Sequence, residues 1–326
     1  MYVVESGPEN PIYGPENMSK HEKFIASNPE VMIYNGNLEK DGFYLLKKPD
    51  DDSWQEGDKI EVCGAELFPG ALLSAADSVH KVEIAYMVMK YSGVMYAQKV
   101  AMKPFDGDDP DNPTDSPETE YHATMKAKGR GFDVLEPIAM AKFGNVRYLY
   151  TKYRNNVWTL DNISYTIHPE DPAYEKTIKP ALELMTNTLA ELHARGIAHG
   201  DPQPKNFMID DEGEVPVPDL EMATIAESTE EHIEMLVGDD GDIVRSPFFK
   251  DVLLLWYALT RDREEDGYQN VFLKGVSKKV YMRVFEEFTD MYLDSLDAHL
   301  DPELAIHFKP EEFKEDLLTH YLVGVQ

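Results

Sequence analysis

The hydrophobic pattern of this chain changes character near its middle. Between residues 59 and 103, and again between 134 and 152, apolar, β-branched and aromatic residues form short runs separated by turn residues such as Ser92-Gly93 and Gly144-Asn145. Such runs are typical of antiparallel strands joined by tight turns. They predict strands at residues 82–89, 94–102, 134–142 and 146–152.

Helical spacing is found between the two groups of strands and dominates the second half of the chain. Ser116 and Pro117, a capping hydroxyl followed by a proline in the first turn, predict a helix over residues 116–129. A second helix is expected over residues 180–194, where apolar residues recur at helical spacing and Gly196 follows. Further helices are expected at residues 248–260 and, as several amphipathic segments, between 276 and 322.

The predicted elements divide the chain into three parts and give an α+β fold. Residues 1–55 carry many Pro, Asn and Gly without sustained periodicity, so an N-terminal extension is expected there. Residues 56–152 predict a lobe made of an antiparallel sheet and a helix, and residues 153–326 predict a mostly helical lobe. The segment 153–156 would link the two lobes.

Composition fits a globular protein. The chain has 326 residues, enough for two domains, and 42% of them are hydrophobic. Its one cysteine, Cys63, excludes an intramolecular disulfide and fits a reducing compartment. The sequence contains neither a basic and apolar leader nor a run of about 18 apolar residues. We therefore expect a cytoplasmic protein without a membrane partner.

The formal net charge of −30 is the strongest compositional signal. Nucleic-acid backbones require Lys and Arg surfaces, so this charge argues against a nucleic-acid partner. It would attract a cationic substrate; the alternative is a generally acidic, solubilising surface, which the spread of the charge along the chain favours. The densest acidic runs, at 50–52 and 106–111, are expected to be solvated loops.

Candidate chemistry is concentrated in residues 197–207, Ile-Ala-His-Gly-Asp-Pro-Gln-Pro-Lys-Asn-Phe, and in residues 218–221, Pro-Asp-Leu-Glu. Phosphoryl transfer to a hydroxyl needs a carboxylate that orients the acceptor, and an amide and a second carboxylate that hold Mg²⁺ on the nucleotide phosphates. Asp201, Asn206 and Asp219 supply this set. Asn206 follows Asp201 by five residues, and a short apolar strand at 215–217 is expected to lead to Asp219.

The order and spacing of these residues resemble the catalytic segment of the protein-kinase-like superfamily, which includes atypical kinases, aminoglycoside phosphotransferases and choline kinases. The resemblance implies a bilobal protein-kinase-like fold that uses ATP and Mg²⁺ and moves the γ-phosphoryl group to a hydroxyl acceptor. Asp201 would position and deprotonate the acceptor, and Asn206 and Asp219 would bind the metal. Lys205 would neutralise the transferred phosphoryl group, as a cation in this position does in some protein kinases.

The same resemblance implies a phosphate-binding lysine on a strand of the N-terminal lobe. Lys103, in Val-Ala-Met-Lys at 100–103, fits this role and is expected to end its strand. Lys99 is the alternative, because its even spacing from Lys103 points both side chains to one face of a strand. Glu120, on the next helix, would orient the lysine; otherwise Glu118 and Glu120 are only favourable charges near a helix N-terminus.

The glycine-rich loop that covers the nucleotide in protein kinases is reduced here to residues 68–74, Phe-Pro-Gly-Ala-Leu-Leu-Ser. Gly70 would contact the phosphates from this loop, and an ordinary turn is the alternative. Two further residues are expected to support the site. Asp251 would brace the backbone of the catalytic loop, as in kinase-like proteins, or else act as a plain charge near a helix N-terminus. His199 is expected to be structural.

Departures from protein kinases bear on the acceptor. Gly200 replaces an Arg that many protein kinases use to read a phosphorylated loop, Asp-Leu-Glu replaces Asp-Phe-Gly, and no Ala-Pro-Glu segment lies between residues 221 and 248. These departures favour a small-molecule acceptor. The alternatives are an atypical protein Ser/Thr kinase and a pseudokinase scaffold whose acidic surface binds partners. Glu221 would bind a second metal or a cationic substrate, or be an exposed loop carboxylate.

Overall fold

The computed structural model describes residues 31–33, 42–46, 60–62, 65–67, 71–72, 82–91, 94–106, 116–143, 146–154, 157–163, 167–210, 219–260, 272–273 and 275–324. The chain divides into two compact units, Met1–Glu118 with Glu136–Tyr153 and Thr119–Leu135 with Arg154–Gln326. Helices and strands are both present, which confirms the α+β class. The division after Tyr153 lies one residue from the expected boundary between residues 152 and 153.

The described strands of the first unit form a nine-stranded sheet. They are β1 (Val31–Ile33), β2 (Gly42–Leu46), β3 (Ile60–Val62), β4 (Ala65–Leu67), β5 (Ala71–Leu72), β6 (Glu83–Tyr91), β7 (Val94–Asp106), β8 (Pro137–Phe143) and β9 (Val146–Lys152). Their order is β3-β4-β2-β6-β7-β9-β8, with β1 paired to β7 and β5 to β6. Neighbours run antiparallel, except that β2 and β4 are parallel.

Strand β7 is longer than predicted. It continues past Lys103, and its pairing with β9 extends to Asp106, opposite Val146. The prediction that Lys103 ends its strand is therefore wrong. The apolar run alone indicated the shorter strand, whereas β9 supplies backbone partners beyond that run.

Two strands lie within the segment expected to be an N-terminal extension. Val31 of β1 pairs with Gln98 of β7, and Tyr44 of β2 pairs with Val88 of β6. These parts of residues 1–55 therefore belong to the sheet. Strands of three and five residues are too short to show a clear periodicity in the sequence. They are defined by their backbone pairing with the longer strands β7 and β6.

The other elements are mostly helical. The helices are α1 (Pro117–Gly129), α2 (Tyr174–Ala194), α3 (Thr229–Val237), α4 (Pro247–Thr260), α5 (Lys278–His299), α6 (Pro302–Ala305) and α7 (Pro310–Gly324). The short strands β10 (Trp158–Thr159) and β12 (Met208–Ile209) pair antiparallel, as do β11 (Ile197–Ala198) and β13 (Thr224–Ile225). None of the helices in the described part of the chain has the length and apolarity that a membrane crossing requires.

Helix α2 begins earlier than predicted, at Tyr174, and contains Pro180 in its interior. Proline disfavours a helix interior, and residue 180 was expected to be the start of this helix. Tyr174 and Ile178 are buried in the core of the second unit. Their packing extends the helix past the proline.

The core of the second unit surrounds Trp256 on α4. Its ring lies 4.8 and 5.0 Å from the rings of Phe285 and Phe288 on α5, measured between centroids. Its Nε1 donates to the hydroxyl of Tyr281 at 2.8 Å. These buried aromatic contacts fix α4 against α5, and so fix the position of Asp251 in the first turns of α4.

A smaller apolar cluster attaches α1 to the rest of the second unit. It includes Ala123 and Ala127 of α1 and Leu220, together with Phe132, Val134, Leu192 and Ile197. Glu120 lies three and seven positions before the two alanines, hence on the same face of α1. Packing of Leu220 against this face brings the neighbours of Leu220 toward Glu120.

Candidate functional site

The loop at residues 199–206, called the Asp201 loop, brings two predicted site residues together. The Nδ2 of Asn206 donates to the Oδ2 of Asp201 at 3.2 Å and to its backbone oxygen at 2.9 Å. The other carboxylate oxygen of Asp201, Oδ1, accepts from the Nε2 of Gln203 at 2.5 Å. Asp201 is half-buried.

Asn206 has one side-chain atom left for a ligand. Its Nδ2 is engaged with Asp201, and no hydrogen bond among the described residues occupies its Oδ1. The side chain is 4% exposed. An amide oxygen presented in this way fits the oxygen preference of Mg²⁺.

Asp251 braces the Asp201 loop from behind. Its Oδ2 accepts from the backbone N–H of His199 at 2.5 Å, and its Oδ1 accepts from that of Gly200 at 3.0 Å. Asp251 is 2% exposed, so both bonds lie in the protein interior. The bracing role is therefore confirmed, and the alternative of a plain charge at a helix N-terminus is wrong.

A buried histidine and a buried tyrosine support Asp251. The Nε2 of His193 lies 3.1 Å from the Oδ2 of Asp251, and its Nδ1 lies 2.7 Å from the hydroxyl of Tyr292. A carboxylate only accepts, so Nε2 carries the hydrogen and the hydroxyl donates to Nδ1. Burial lowers the pKa of His193 and raises that of Tyr292.

His199 is fully buried behind the loop. Its ring lies 6.0 Å from that of Phe207, and its Nδ1 accepts a long bond, 3.4 Å, from the backbone N–H of Asp201. Its Nε2 has no hydrogen-bond partner within the described segments. This placement agrees with a structural rather than a proton-carrying role.

Three carboxylates form an acidic cluster in the second unit. One oxygen each from Glu120, Asp219 and Glu221 lies within 4.8 Å of the others. Glu120 is 6% exposed, and the two loop residues are half-buried. Such a set of oxygen ligands suits Mg²⁺.

The backbone at Asp219 is in the left-handed region, with φ of 61°. Residues other than glycine seldom adopt this conformation, although Asp tolerates it better than most, and such strain is concentrated at functional loops. The buried Leu220 beside it is held by α1. The strained turn and this packing together place Asp219 and Glu221 in the cluster.

The segment that carries the cluster, residues 219–223, is called the Asp219 loop. Strands β11 and β13 bring it beside the Asp201 loop, because Ile197 pairs with Ile225 and Ala198 pairs with Thr224. Asp201 follows β11 closely, and Asp219 precedes β13 closely. The two short strands therefore place both acidic loops at one end of the same ladder.

Two arginines fasten the end of α1 to this ladder. Arg130 donates to the backbone oxygens of Arg195, at 2.5 Å, and Gly196, at 3.1 Å, and also to that of Ala226. Arg195 donates in return to the backbone oxygen of Arg130 at 2.9 Å, and its guanidinium lies over the ring of Phe132. The helix that carries Glu120 is thus fixed to residues that directly flank β11 and β13.

Of the residues in the first unit that were predicted to contact phosphate, the structure describes the side chain of Lys103. Lys103 lies on β7 with its ammonium 5.1 Å from the ring centroid of Phe105. Lys99 is on the same strand, opposite Tyr86, but its side chain lies outside the described residues, as do Gly70 and the expected strand at 215–217. The pairing of Glu120 with the phosphate lysine stays a prediction; within the second unit, Glu120 meets Asp219 and Glu221.

Three contributors were missed at the sequence level. Gln203 was detectable, since it lies between two prolines and two residues after Asp201. Arg130 and Tyr292 gave no local signal, because their partners are 65 or more residues away in the chain. Only folding brings these groups to the loop.

The fold and site define an α+β protein with two neighbouring acidic loops held on one braced ladder. No protein-family model matches this chain, and no curated protein matches it significantly. Membership of the kinase-like superfamily therefore remains a prediction that rests on the residues of the two loops.

Proposed function

We propose that this protein is a phosphotransferase of the protein-kinase-like superfamily, with the bilobal fold of that group. It uses ATP and Mg²⁺ and moves the γ-phosphoryl group to a hydroxyl of a small molecule in the cytoplasm. The observation that carries the proposal is the hydrogen-bonded pair of Asp201 and Asn206 on a loop braced by Asp251. A carboxylate and an amide held side by side are what acceptor orientation and metal binding require.

Each residue has a distinct task in the proposed reaction. Asp201 accepts the proton of the acceptor hydroxyl while the oxygen of that hydroxyl bonds to the γ-phosphorus. The bond between that phosphorus and the bridging oxygen of ADP breaks, and ADP leaves. Asn206, through Oδ1, and Asp219 would hold Mg²⁺, which neutralises charge on the phosphates. Catalysis comes from positioning and charge neutralisation, without a covalent enzyme intermediate.

The surroundings of Lys205 favour the binding of an anionic group. It is half-buried, and no hydrogen bond or ion pair among the described residues involves its ammonium. The chain has 61 acidic and 31 basic residues, so carboxylate partners are plentiful for a lysine. A partly buried cation that has no such partner among the described residues suits a phosphoryl group.

The net charge of the chain favours a cationic acceptor. A formal net charge of −30 attracts a positively charged substrate at long range. Glu221, a half-buried member of the acidic cluster, would contact such a substrate or a second metal ion.

Thermal unfolding with nucleotide and metal tests the proposal. We expect ATP and Mg²⁺ together to raise the midpoint, with about 2.7 kcal/mol of stabilisation at 100 times the dissociation constant, and little effect from either alone. Transfer from [γ-³²P]ATP to cell metabolites, cationic ones included, should follow. Absence of a shift at millimolar Mg·ATP would contradict the proposal, and binding without any turnover would indicate a scaffold.

A further inference from the structure

Gln203 is held in a rigid part of the Asp201 loop. It lies between Pro202 and Pro204, both of which are buried. A residue before proline is restricted to extended backbone, and Gln203 has φ of −93° and ψ of 153°. The backbone N–H of Gln203 donates to the oxygen of Asp201 at 2.9 Å, and its own oxygen accepts from the N–H of Asn206 at 2.8 Å. The backbone from which the Gln203 side chain extends is therefore fixed in position.

The carboxylate of Asp201 is held by one amide on each oxygen. Gln203 donates to Oδ1 at 2.5 Å, and Asn206 donates to Oδ2 at 3.2 Å. A carboxylate only accepts, so the amide nitrogen of Gln203 must face it. The terminal torsion of an aspartate is otherwise broad, and two donors on opposite oxygens fix the plane of the carboxylate.

We infer that Gln203 is a positioning residue for the reaction proposed above, and this inference rests on that proposed function. Its amide fixes the plane of the Asp201 carboxylate, so that the remaining lone pairs point toward the acceptor hydroxyl before the acceptor binds. Asn206 alone holds only one oxygen and is also the candidate metal ligand. Gln203 thus holds the carboxylate of Asp201 in one orientation whether or not a metal ion is bound to Asn206.

This role predicts a specific division of effects. Removal of the Gln203 amide should lower turnover by about 10- to 100-fold, because misplacement of a reacting group by about 1 Å has effects of this size. The affinity for Mg·ATP should stay within about twofold, since the side chain of Gln203 hydrogen-bonds to Asp201 and, among the described residues, to no candidate metal ligand. A residue that served stability alone would not separate the two quantities.

The test uses the full chain, with water as the acceptor. Hydrolysis of [γ-³²P]ATP yields ADP, phosphate and a proton, and calorimetry gives the affinity for Mg·ATP. The variants are Gln203→Met, similar in size without a donor, Gln203→Glu, similar in shape with a repelling charge, and Gln203→Asn, which keeps the donor on a shorter arm. We expect Gln203→Glu to lose the most turnover and Gln203→Asn the least. Asn187→Met, at an exposed position of α2, is the matched control.

A second measurement needs no activity. The chain has five glutamines, so selective ¹⁵N labelling of their side chains gives a readable spectrum. One signal should disappear in Gln203→Met, and the same signal should move in Asp201→Asn, where the charge that it contacts is removed. An unmoved signal would overturn the inference.

The outcomes separate the inference from the proposed function. If the wild-type protein hydrolyses ATP and the turnover of Gln203→Met is within twofold of the wild-type value, the role of Gln203 is overturned. The proposed function then still stands. A parallel fall of thermal midpoint and Mg·ATP affinity in Gln203→Met would also overturn it. A wild-type protein that neither binds nor turns over Mg·ATP would overturn both.

Discussion

The α-carbon of Gly200 lies against the backbone of Met222, so that a Cβ added to Gly200 would stand 2.2 Å from the carbonyl oxygen of Met222. Gly200 also has φ of +82°, a conformation that favours glycine. Gly200 precedes Asp201, and Met222 follows Glu221. This contact therefore joins the Asp201 loop to the Asp219 loop, and it requires glycine at position 200.

Replacement of this glycine should separate the two loops. We expect Gly200→Ala to lower the free energy of unfolding by more than about 2 kcal/mol, because the new Cβ meets backbone and the φ is strained. Gly129→Ala is the control, since nothing lies within 4 Å of a Cβ there. It should change stability by less than about 0.5 kcal/mol. Urea unfolding measures both, and equal stability of the two variants would contradict the contact.

Asp219→Asn should abolish metal binding and leave the fold intact. Asn has nearly the shape of Asp and also tolerates the left-handed backbone at this position, so the metal-free variant should unfold near the wild-type midpoint. The added stabilisation by Mg·ATP should be lost, because the main charge on the metal is gone. Glu118→Gln, an exposed carboxylate paired with Arg147, is the control and should keep that stabilisation. A full Mg·ATP shift in folded Asp219→Asn would remove Asp219 from the metal site.

Lys103→Met and Lys99→Met test which lysine contacts the phosphates. Both lie on β7 and share a face of the strand, but only Lys103 ends the Val-Ala-Met-Lys match. We expect Lys103→Met to weaken Mg·ATP binding or turnover by at least about tenfold, as loss of a charged contact of about 1.4 kcal/mol or more implies. Lys99→Met should have a much smaller effect. Calorimetry on both variants gives the order, and a reversed order would assign the role to Lys99.

Asp201→Asn should separate turnover from nucleotide binding. Orientation and proton acceptance contribute about 10²–10⁴ in rate, so transfer should fall by this factor. Mg·ATP affinity should stay close to that of the wild-type protein, because Asp201 acts on the acceptor. Calorimetry beside ³²P transfer on one preparation measures both. Transfer at the wild-type rate would mean that Asp201 is not the acceptor carboxylate.

His193→Gln should remove a pH dependence of stability. Burial lowers the pKa of His193 below its ordinary value of 6.5, so protonation favours the unfolded chain. Above about pH 6.5, His193 contributes its full share to the free energy of unfolding. This share is lost as the pH falls from about 6.5 through the pKa that His193 has in the folded protein. The stability difference between wild type and His193→Gln should therefore shrink between pH 7 and pH 5, by up to about 1.4 kcal/mol per pH unit. Urea unfolding at several pH values measures it; a constant difference would exclude His193 as the group responsible.

Local patterns in the sequence predicted what depends on neighbours in the chain. Helices α1 and α4 and the β6–β7 hairpin were found from periodicity and turn residues, and the structure has them within a few residues. Asp201 and Asn206, five residues apart, were expected on one short loop, where the structure shows them hydrogen-bonded. Contacts of this range cost little chain entropy and depend on few other elements, so the sequence by itself determines them.

Only the tertiary structure decided the partners that are distant in the chain. Asp251 reaches His199 across 52 residues because Trp256 fixes α4 in the core. Glu120 joins Asp219 and Glu221 because Leu220 packs on α1 and Arg130 fastens that helix to residues that flank β11 and β13. Sequence spacing carries no information on such encounters, since they depend on which faces of separate elements are buried together.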